Sequence, residues 1–338
     1  MTLSVICPIY NEGKYIEHFL DSILLQDFPE EDMEILLVDG MSNDKTRSII
    51  ECYVKKYSVL KLLDNPCQTS PHAMNIGIKY AQGDIIIRLD AHAEYPKNYF
   101  SILVRNLERL EGAENVGGVC ITLPCNKTAT AVAIAECLSN RFGMGNSYFR
   151  IGVKDVMSVD TVPFGCFRKS LFDKIGLFDT DMVRNQDDEL NGRIIKSGGK
   201  IYLLPDVEIK YYARDKIAKV QKMFYQYGLY KPLGNKKLGA PATIRQFFPV
   251  LFTIGVVVGL VISLIFPAFA AVYISIALFY LFLGIYEGVK SMKKTKYYSL
   301  PILMPYVFYN IHFYYGLGYL KGVFNIMTGR QFNVKSNR

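Results

Sequence analysis

What this chain of 338 residues lacks most visibly is charge in one long stretch: from Arg245 to Glu287 there is no Asp, Glu, Lys or Arg. The 41 uncharged positions, 246 to 286, are about twice the roughly 20 residues that one membrane-crossing helix needs. Pro267 lies near the middle, so the spacing predicts a helical hairpin, Phe247–Phe266 and Ala268–Tyr286, joined by a tight turn. A Cys-x-x-Cys pair is also missing. The seven cysteines (Cys7, Cys52, Cys67, Cys120, Cys125, Cys137, Cys166) are odd in number and sit mostly in apolar runs, which reads as reduced core thiols rather than a zinc site or a disulfide framework. The opening MTLSVICPIYNEGKY has no basic stretch followed by a long apolar one. It reads as a first strand, not a signal peptide, and predicts a cytoplasmic soluble part.

Basic charge is plentiful and unevenly placed within a formal net charge of +8. Between Lys210 and Arg245 stand nine basic residues against one acidic residue, Asp215, and Lys290, Lys293, Lys294 and Lys296 follow the uncharged stretch. Clusters flanking a membrane hairpin are expected on its cytoplasmic side. There they fit an anionic or pyrophosphate-linked lipid, and no nucleic-acid partner is expected.

The chain then reads as an α/β fold. Leu3–Ile9, Glu34–Val38, Leu60–Leu63 and Ile85–Leu89 are short apolar, β-branched runs of buried parallel strands. Helices are expected over Glu17–Gln26, Arg47–Tyr57 (capped by Ser42, Asn43 and Asp44) and His72–Ala81, the last closed by Gly83. The alternation is that of a doubly wound sheet with right-handed crossovers. It places Asp39 and Asp90 on one sheet edge, where open α/β folds bind ligands. Asp90 and His92, two positions apart, can together hold a divalent cation whose shell is completed by phosphate oxygens.

Further on, Tyr99–Leu110 reads as a helix, Val116–Thr122 as a strand, Ala129–Ser139 as a helix and Asn140–Asp160 as a polar, mobile loop. Gly165, within the apolar run Val162–Arg168, allows either a close approach of backbone or ligand, or a bulge. Asp187, Asp188 and Glu189 open a helix, where the macrodipole favours negative charge, yet three adjacent carboxylates require a compensating cation, proton or substrate. Ile201–Leu204 is another strand. Lys216–Tyr230 carries Ile217, Val220, Phe224 and Tyr227 on one face, as in a helix lying on a membrane surface, though packing on the catalytic domain would use the same pattern. Leu300–Leu320 is apolar and tyrosine-rich and could span or lie at the interface.

Five motifs in order, PIYNE (Pro8–Glu12), VDGMSNDKT (Val38–Thr46), NIGIKYAQG (Asn75–Gly83), Asp90–His92 and QDDELNGR (Gln186–Arg193), make this chain resemble the family 2 glycosyltransferases of GT-A fold. It resembles most the membrane-attached glucosyltransferases of succinoglycan-type exopolysaccharide synthesis. The expected architecture is a Rossmann-like, mostly parallel GT-A domain followed by C-terminal transmembrane or interfacial helices. Residues 1–115 would form the nucleotide-sugar half and 116–235 the acceptor and catalytic-base half. A hairpin over 245–290 and a third membrane or interfacial helix over 298–325 would follow.

The resemblance implies a nucleotide-diphosphate-sugar donor, UDP-linked by preference, bound by Pro8, Tyr10, Glu12, Asp39, Asn75 and Asp90. Mg2+ or Mn2+ would sit on Asp90 and His92. Asp187 would be the general base of an inverting displacement, with Asp188 as the alternative, because Gln186 replaces the usual glutamate. Gly165, Phe167, Arg168, Gln226 and Lys231 would meet the acceptor. The Q-x-x-R-W motif of processive synthases is absent, and QYGLYK (Gln226–Lys231) stands in its place. The expectation is transfer of one sugar to a polyprenyl-diphosphate-linked glycan at a bacterial plasma membrane, beside other polysaccharide-assembly proteins. A polyprenyl-monophosphate acceptor, or a catalytically inactive sugar-nucleotide-binding subunit, are the alternatives.

Overall fold

The computed structural model describes residues 2–241 and 243–332. The described residues divide into two compact units, one made of residues 2–121 with Gly152–Tyr211, the other of Thr122–Ile151 with residues 212–332.

The first unit begins β1 (Leu3–Ile9), α1 (Ile16–Leu24), β2 (Met33–Asp39), α2 (Thr46–Lys56), β3 (Leu60–Asp64), α3 (Ser70–Tyr80) and β4 (Ile85–Arg88). These strands pair in parallel in the order β3-β2-β1-β4. All seven residues of β1 and of β2 are buried. That is why both read as unbroken apolar runs rather than alternating ones. α1 buries Ile16, Phe19, Leu20 and Ile23, one stripe at helical spacing.

The chain continues through β5 (Ala93–Glu94), α4 (Tyr99–Arg109) and β6 (Ala113–Pro124). Then come α5 (Ala129–Leu138), α6 (Arg141–Met144) and α7 (Tyr148–Ile151), followed by β7 (Met157–Ser158), β8 (Cys166–Arg168), α8 (Ser170–Ile175), α9 (Gln186–Lys196) and β9 (Lys200–Ala213). Past β4 the sheet runs β8-β6-β9-β5, with β7 on β9. There β8 is antiparallel to both β4 and β6, and β5 and β7 are antiparallel to β9. The sheet is thus parallel over its first four strands, which sets the C-terminal ends of β1 to β4 along one edge.

Several local expectations change. Gly83 is not a helix cap, since α3 closes with the Ala81 amide on the Gly77 carbonyl. A side chain at Gly83 would meet the Ser4 backbone nitrogen at 2.6 Å, so the glycine lets β1 pass close by. Asp44 alone performs the expected capping: its carboxylate accepts from the Thr46 amide at 2.9 Å, while Ser42 turns to Asp39. The segment 140–160 is no loop, as it holds α6, α7 and β7. β9 is 14 residues long because its second half alternates: Val207 and Ile209 are buried between exposed Asp206, Glu208 and Lys210.

At the opposite sheet edge, buried Glu34 accepts from Ser4 Oγ (2.7 Å), the Gln82 amide (2.6 Å) and Lys61 Nζ (2.7 Å). Burial works to raise this carboxyl, but those hydrogen bonds outweigh it and hold it below its usual range. A depressed folded value stabilises the fold above the unfolded value and loses that contribution as pH falls through the folded one. Glu34→Ala is therefore expected to cost about 2–3 kcal/mol at neutral pH. The thermal-unfolding gap to the unsubstituted protein should close below the ordinary carboxylate range.

The second unit adds α10 (Ile217–Leu238), α11 (Phe247–Ile265), α12 (Pro267–Thr295) and α13 (Leu300–Thr328) to α5, α6 and α7. Pro267 is the first residue of α12, where a missing N–H costs nothing. The segments Ile244–Ile265 and Pro267–Thr295 are long and apolar enough to cross a membrane, and α13 is not among such helices in the described residues. Leu251, Leu264, Ile276 and Phe282 are exposed on α11 and α12. α12 runs past the expected end at Tyr286 and carries Lys290, Lys293 and Lys294 on its last turns.

α10 does not present its apolar face outward as a surface-lying helix would. Val220, Met223 and Phe224 pack in one core with Val132 and Leu138 of α5 and with Met304, Val307, Phe308 and Ile311 of α13. Glycines bring the α10 and α13 backbones together. A side chain at Gly318 would stand 2.9 Å from the Leu229 nitrogen, and one at Gly228 would stand 2.9 Å from the Tyr319 nitrogen. All seven cysteines are free thiols, four buried (Cys7, Cys120, Cys137, Cys166) and three exposed.

Candidate active site

The C-terminal edge of the parallel strands carries the chemistry. Five non-glycine residues with φ near +50 to +60° mark it: Asn11 (55°) after β1, Met41 (60°) after β2, Gln68 (58°) after β3, Phe164 (49°) before β8 and Asn185 (60°) before α9. Each costs of order 1–2 kcal/mol, and such strain gathers where a loop must hold one shape.

Asp39 ends β2 with no solvent exposure. Its carboxylate accepts from Ser42 Oγ at 2.6 Å, from the Ser42 amide at 3.2 Å and from Arg47 Nη1 at 3.2 Å. Arg47 also donates to Asp64 Oδ1, at the end of β3, at 2.7 Å. Asp39 thus organises the loops after β2 and β3 and presents no open oxygen. Pro8 is buried in the β1–β2 ladder opposite Val38, and Tyr10 beyond it is partly exposed.

Beyond β4 the chain turns sharply at Asp90. The Asp90 amide donates to Tyr95 Oη at 2.8 Å, and Tyr95 Oη donates back to the Asp90 carbonyl at 3.3 Å. The buried tyrosine clamps the turn that carries Asp90 and His92. His92 Nδ1 lies 4.0 Å from Glu12 Oε1, so Glu12 is placed beside the imidazole. Among the described residues no three His, Cys, Asp or Glu side chains gather into a cation site. Asp90 and His92 supply one carboxylate and one imidazole, a donor set that fits a divalent ion completing its shell with phosphate oxygens.

Arg88, two residues before Asp90, is only 5% exposed. Its Nη2 donates to Asp90 Oδ1 at 3.3 Å and its Nη1 to Asp187 Oδ1. The first turn of α9 is therefore tied to the end of β4. Burial pushes the Asp187 carboxyl up, Arg88 pulls it back, and Asp90 and Asp188 add to the rise, leaving it raised from its ordinary value. Arginines compensate two of the three adjacent carboxylates, Arg88 for Asp187 and Arg193 for Glu189. Glu189 is held bidentately by Arg193 at 2.8 Å, and Arg193 also donates to the carbonyls of Ile175, Gly176 and Leu177.

The remaining expected ligands divide. Asn75 spends its amide on the Phe178 backbone, donating at 2.8 Å and accepting at 2.9 Å, so it clamps a loop instead of facing a nucleotide. Gly165 lies at the site edge, where its carbonyl accepts the Arg88 amide at 3.0 Å. A side chain there would run into Asn115 and the Phe167 ring, so these are the close neighbours that need the glycine. Antiparallel β8 then leads away from the site, with Phe167 opposite Ile86 and Arg168 opposite Ile85. Phe167 is buried, and Arg168 donates to the Leu107 carbonyl. Gln226 and Lys231 lie on α10, in the other unit, where Gln226 is buried.

Arg88 and Tyr95 were absent from the residues expected at the site. A signal for Arg88 was present: GDIIIRLD places one charge in a run buried on both faces, and a buried charge demands a partner.

The model of the family described as "Glycosyl transferase family 2" matches residues 4–176. The chain is 30% identical over 332 residues to a dolichyl N-acetyl-alpha-D-glucosaminyl phosphate 3-beta-D-2,3-diacetamido-2,3-dideoxy-beta-D-glucuronosyltransferase of Methanococcus voltae, covering 95% of this chain and 97% of that one. It is 27% identical to the succinoglycan biosynthesis protein ExoA of Rhizobium meliloti, covering 72% and 73%. In fold it is similar to a Pyrobaculum calidifontis mannosyltransferase, PcManGT, solved with GDP-Man and Mn2+. That match has a TM-score of 0.65 at 19% identity, covering 96% of this chain and 87% of that one. The parallel half-sheet with its ligand edge, the α9 acidic turn and these likenesses lead to one conclusion: the chain belongs to glycosyl transferase family 2.

Proposed function

We propose that this protein transfers a single sugar, with inversion, from a nucleotide-diphosphate sugar to a saccharide carried on a phosphate-linked isoprenoid lipid. The observation that carries this reading is the bridge between β4 and α9. One guanidinium holds a carboxylate suited to the donor, Asp90, and a carboxylate suited to the acceptor, Asp187. Asp187 takes the proton of the acceptor hydroxyl as that oxygen bonds to the anomeric carbon. The carbon–oxygen bond to the diphosphate breaks, and its electron pair leaves with the nucleoside diphosphate. Asp90 and His92 would hold Mg2+ or Mn2+, which when bound supplies neutralising charge for the departing diphosphate. Asp39, Arg47 and Ser42 shape the nucleoside wall, with UDP as the favoured nucleotide.

Support for a lipid-linked acceptor comes from the name of the Methanococcus relative, which specifies a dolichyl-phosphate-linked N-acetylglucosamine, and from the hairpin of α11 and α12. The exposed Lys290, Lys293, Lys294 and Lys296 favour a cytoplasmic face for that end of the hairpin. The test is nucleoside-diphosphate release by membranes containing the protein, from a panel of nucleotide sugars, with and without Mn2+ or Mg2+. Isoprenoid monophosphate, and monophosphate- and diphosphate-linked saccharides, serve as acceptors. Release from one donor that depends on both cation and a lipid-linked saccharide is expected. Donor binding with no release across all acceptors would replace the transferase reading with a sugar-nucleotide-binding subunit.

A further inference from the structure

We propose that Arg88 is a positioning residue that sets the general base and the donor-side carboxylate in one register, so that the two halves of the site form as a unit. The inference rests on the reading that Asp187 and Asp90 carry the transfer.

Arg88 follows Ile85, Ile86 and Ile87 in a strand buried along its whole length. An arginine in such a place survives only if its charge is paired. Its partners come from separate elements: Asp90 lies two residues on, and Asp187 lies 99 positions away in the first turn of α9. The guanidinium is planar, so one rigid group fixes the angle between the two carboxylates. The Arg88 amide is tied to the Gly165 carbonyl at 3.0 Å, which anchors its backbone to the residue just before β8 as well. Arg88 Nε is buried and has no hydrogen-bond partner among the described residues. The side chain is thus placed to serve two carboxylates and not to satisfy all its own donors. α9 is braced from behind by a buried chain in which Asn115 Nδ2 donates to Asn191 Oδ1 and Asn191 Nδ2 donates to Thr161 Oγ1, each at 2.8 Å. With that brace fixed, Arg88 is the contact that aims the front of the helix at the end of β4.

Lysine keeps the charge but is a point donor on a flexible stem, unable to hold two carboxylates at a fixed angle. Arg88→Lys is therefore expected to fold with a thermal midpoint near that of the unsubstituted protein. It should lower kcat by about 30-fold or more, with nucleoside diphosphate binding in the presence of Mn2+ changed less than about threefold. Added guanidinium should recover at least about tenfold of the activity lost in Arg88→Ala, whereas methylammonium should not. Residues acting as one unit are non-additive, so Arg88→Ala in an Asp187→Asn background should cost less than about threefold further. Two outcomes overturn the inference: Arg88→Lys at full kcat, or loss in Arg88→Ala that follows only the unfolded fraction and does not respond to guanidinium. Asp187→Asn assayed alone keeps the two ideas apart. If it transfers sugar normally, the base assignment fails; if it is inactive while Arg88→Lys is fully active, only the role of Arg88 fails.

Discussion

Asp187→Asn is expected to lower kcat by about 10²–10⁴-fold, the range that a positioned general base contributes, while donor binding stays within about threefold. The amide keeps the shape of the carboxylate and can still offer an oxygen to Arg88, so the bridge to β4 and the fold should persist. What disappears is the acceptor for the hydroxyl proton. Asp188→Asn is the matched comparison, one residue further along the first turn of α9. It should lose less than about tenfold, in keeping with a charge that only tunes its neighbour. Steady-state release of nucleoside diphosphate, with donor binding measured separately, checks both. A severe loss in Asp188→Asn alone would transfer the base to that residue.

The second large effect concerns stability. Gly318→Val should reduce stability by about 3 kcal/mol or more, since overpacking typically costs 1–3 kcal/mol and here the obstacle is backbone, which does not swing aside. The added carbon would meet the Tyr225 carbonyl and the Leu229 nitrogen, forcing α10 and α13 apart along their shared glycines. The loss should show as a lowered thermal midpoint in detergent and reduced accumulation in membranes. A side-chain carbon added at Gly255 on α11 would meet nothing within 4 Å, and Gly255→Val should be close to neutral. Equal behaviour of the two variants would mean that glycine freedom, not the close approach, governs α10 and α13.

The strands of the parallel half are legible as short apolar runs, and both edge aspartates are legible because each ends such a run with a carboxylate. The acidic turn of α9 is legible as an equally local pattern. Pairings between distant segments are not. Asn75 resembles a ligand in its motif and is consumed by the Phe178 backbone, and nothing near either residue announces the other. Phe167 and Arg168 belong to the right motif, but the antiparallel direction of β8 carries them away from the edge that Gly165 touches. α10 has the periodicity of an amphipathic helix, and periodicity alone does not say whether lipid or protein covers the apolar face. Here α5 and α13 cover it.

That last arrangement bears on how the protein is made. α10 ends at Leu238 and its cover, α13, begins only at Leu300, with α11 and α12 between them. During synthesis Val220, Met223 and Phe224 therefore leave the ribosome well before the residues that bury them. If α11 and α12 both cross a membrane, the hairpin returns the chain to the side it left, the side on which α13 packs against α10. Insertion of α11 and α12 would then be a step in the maturation of the second unit and not only its anchorage. A chain stopped after α10 would keep that apolar face uncovered and be drawn to chaperones or aggregation, so a soluble form is better sought by excising the hairpin and rejoining its ends than by cutting the chain short.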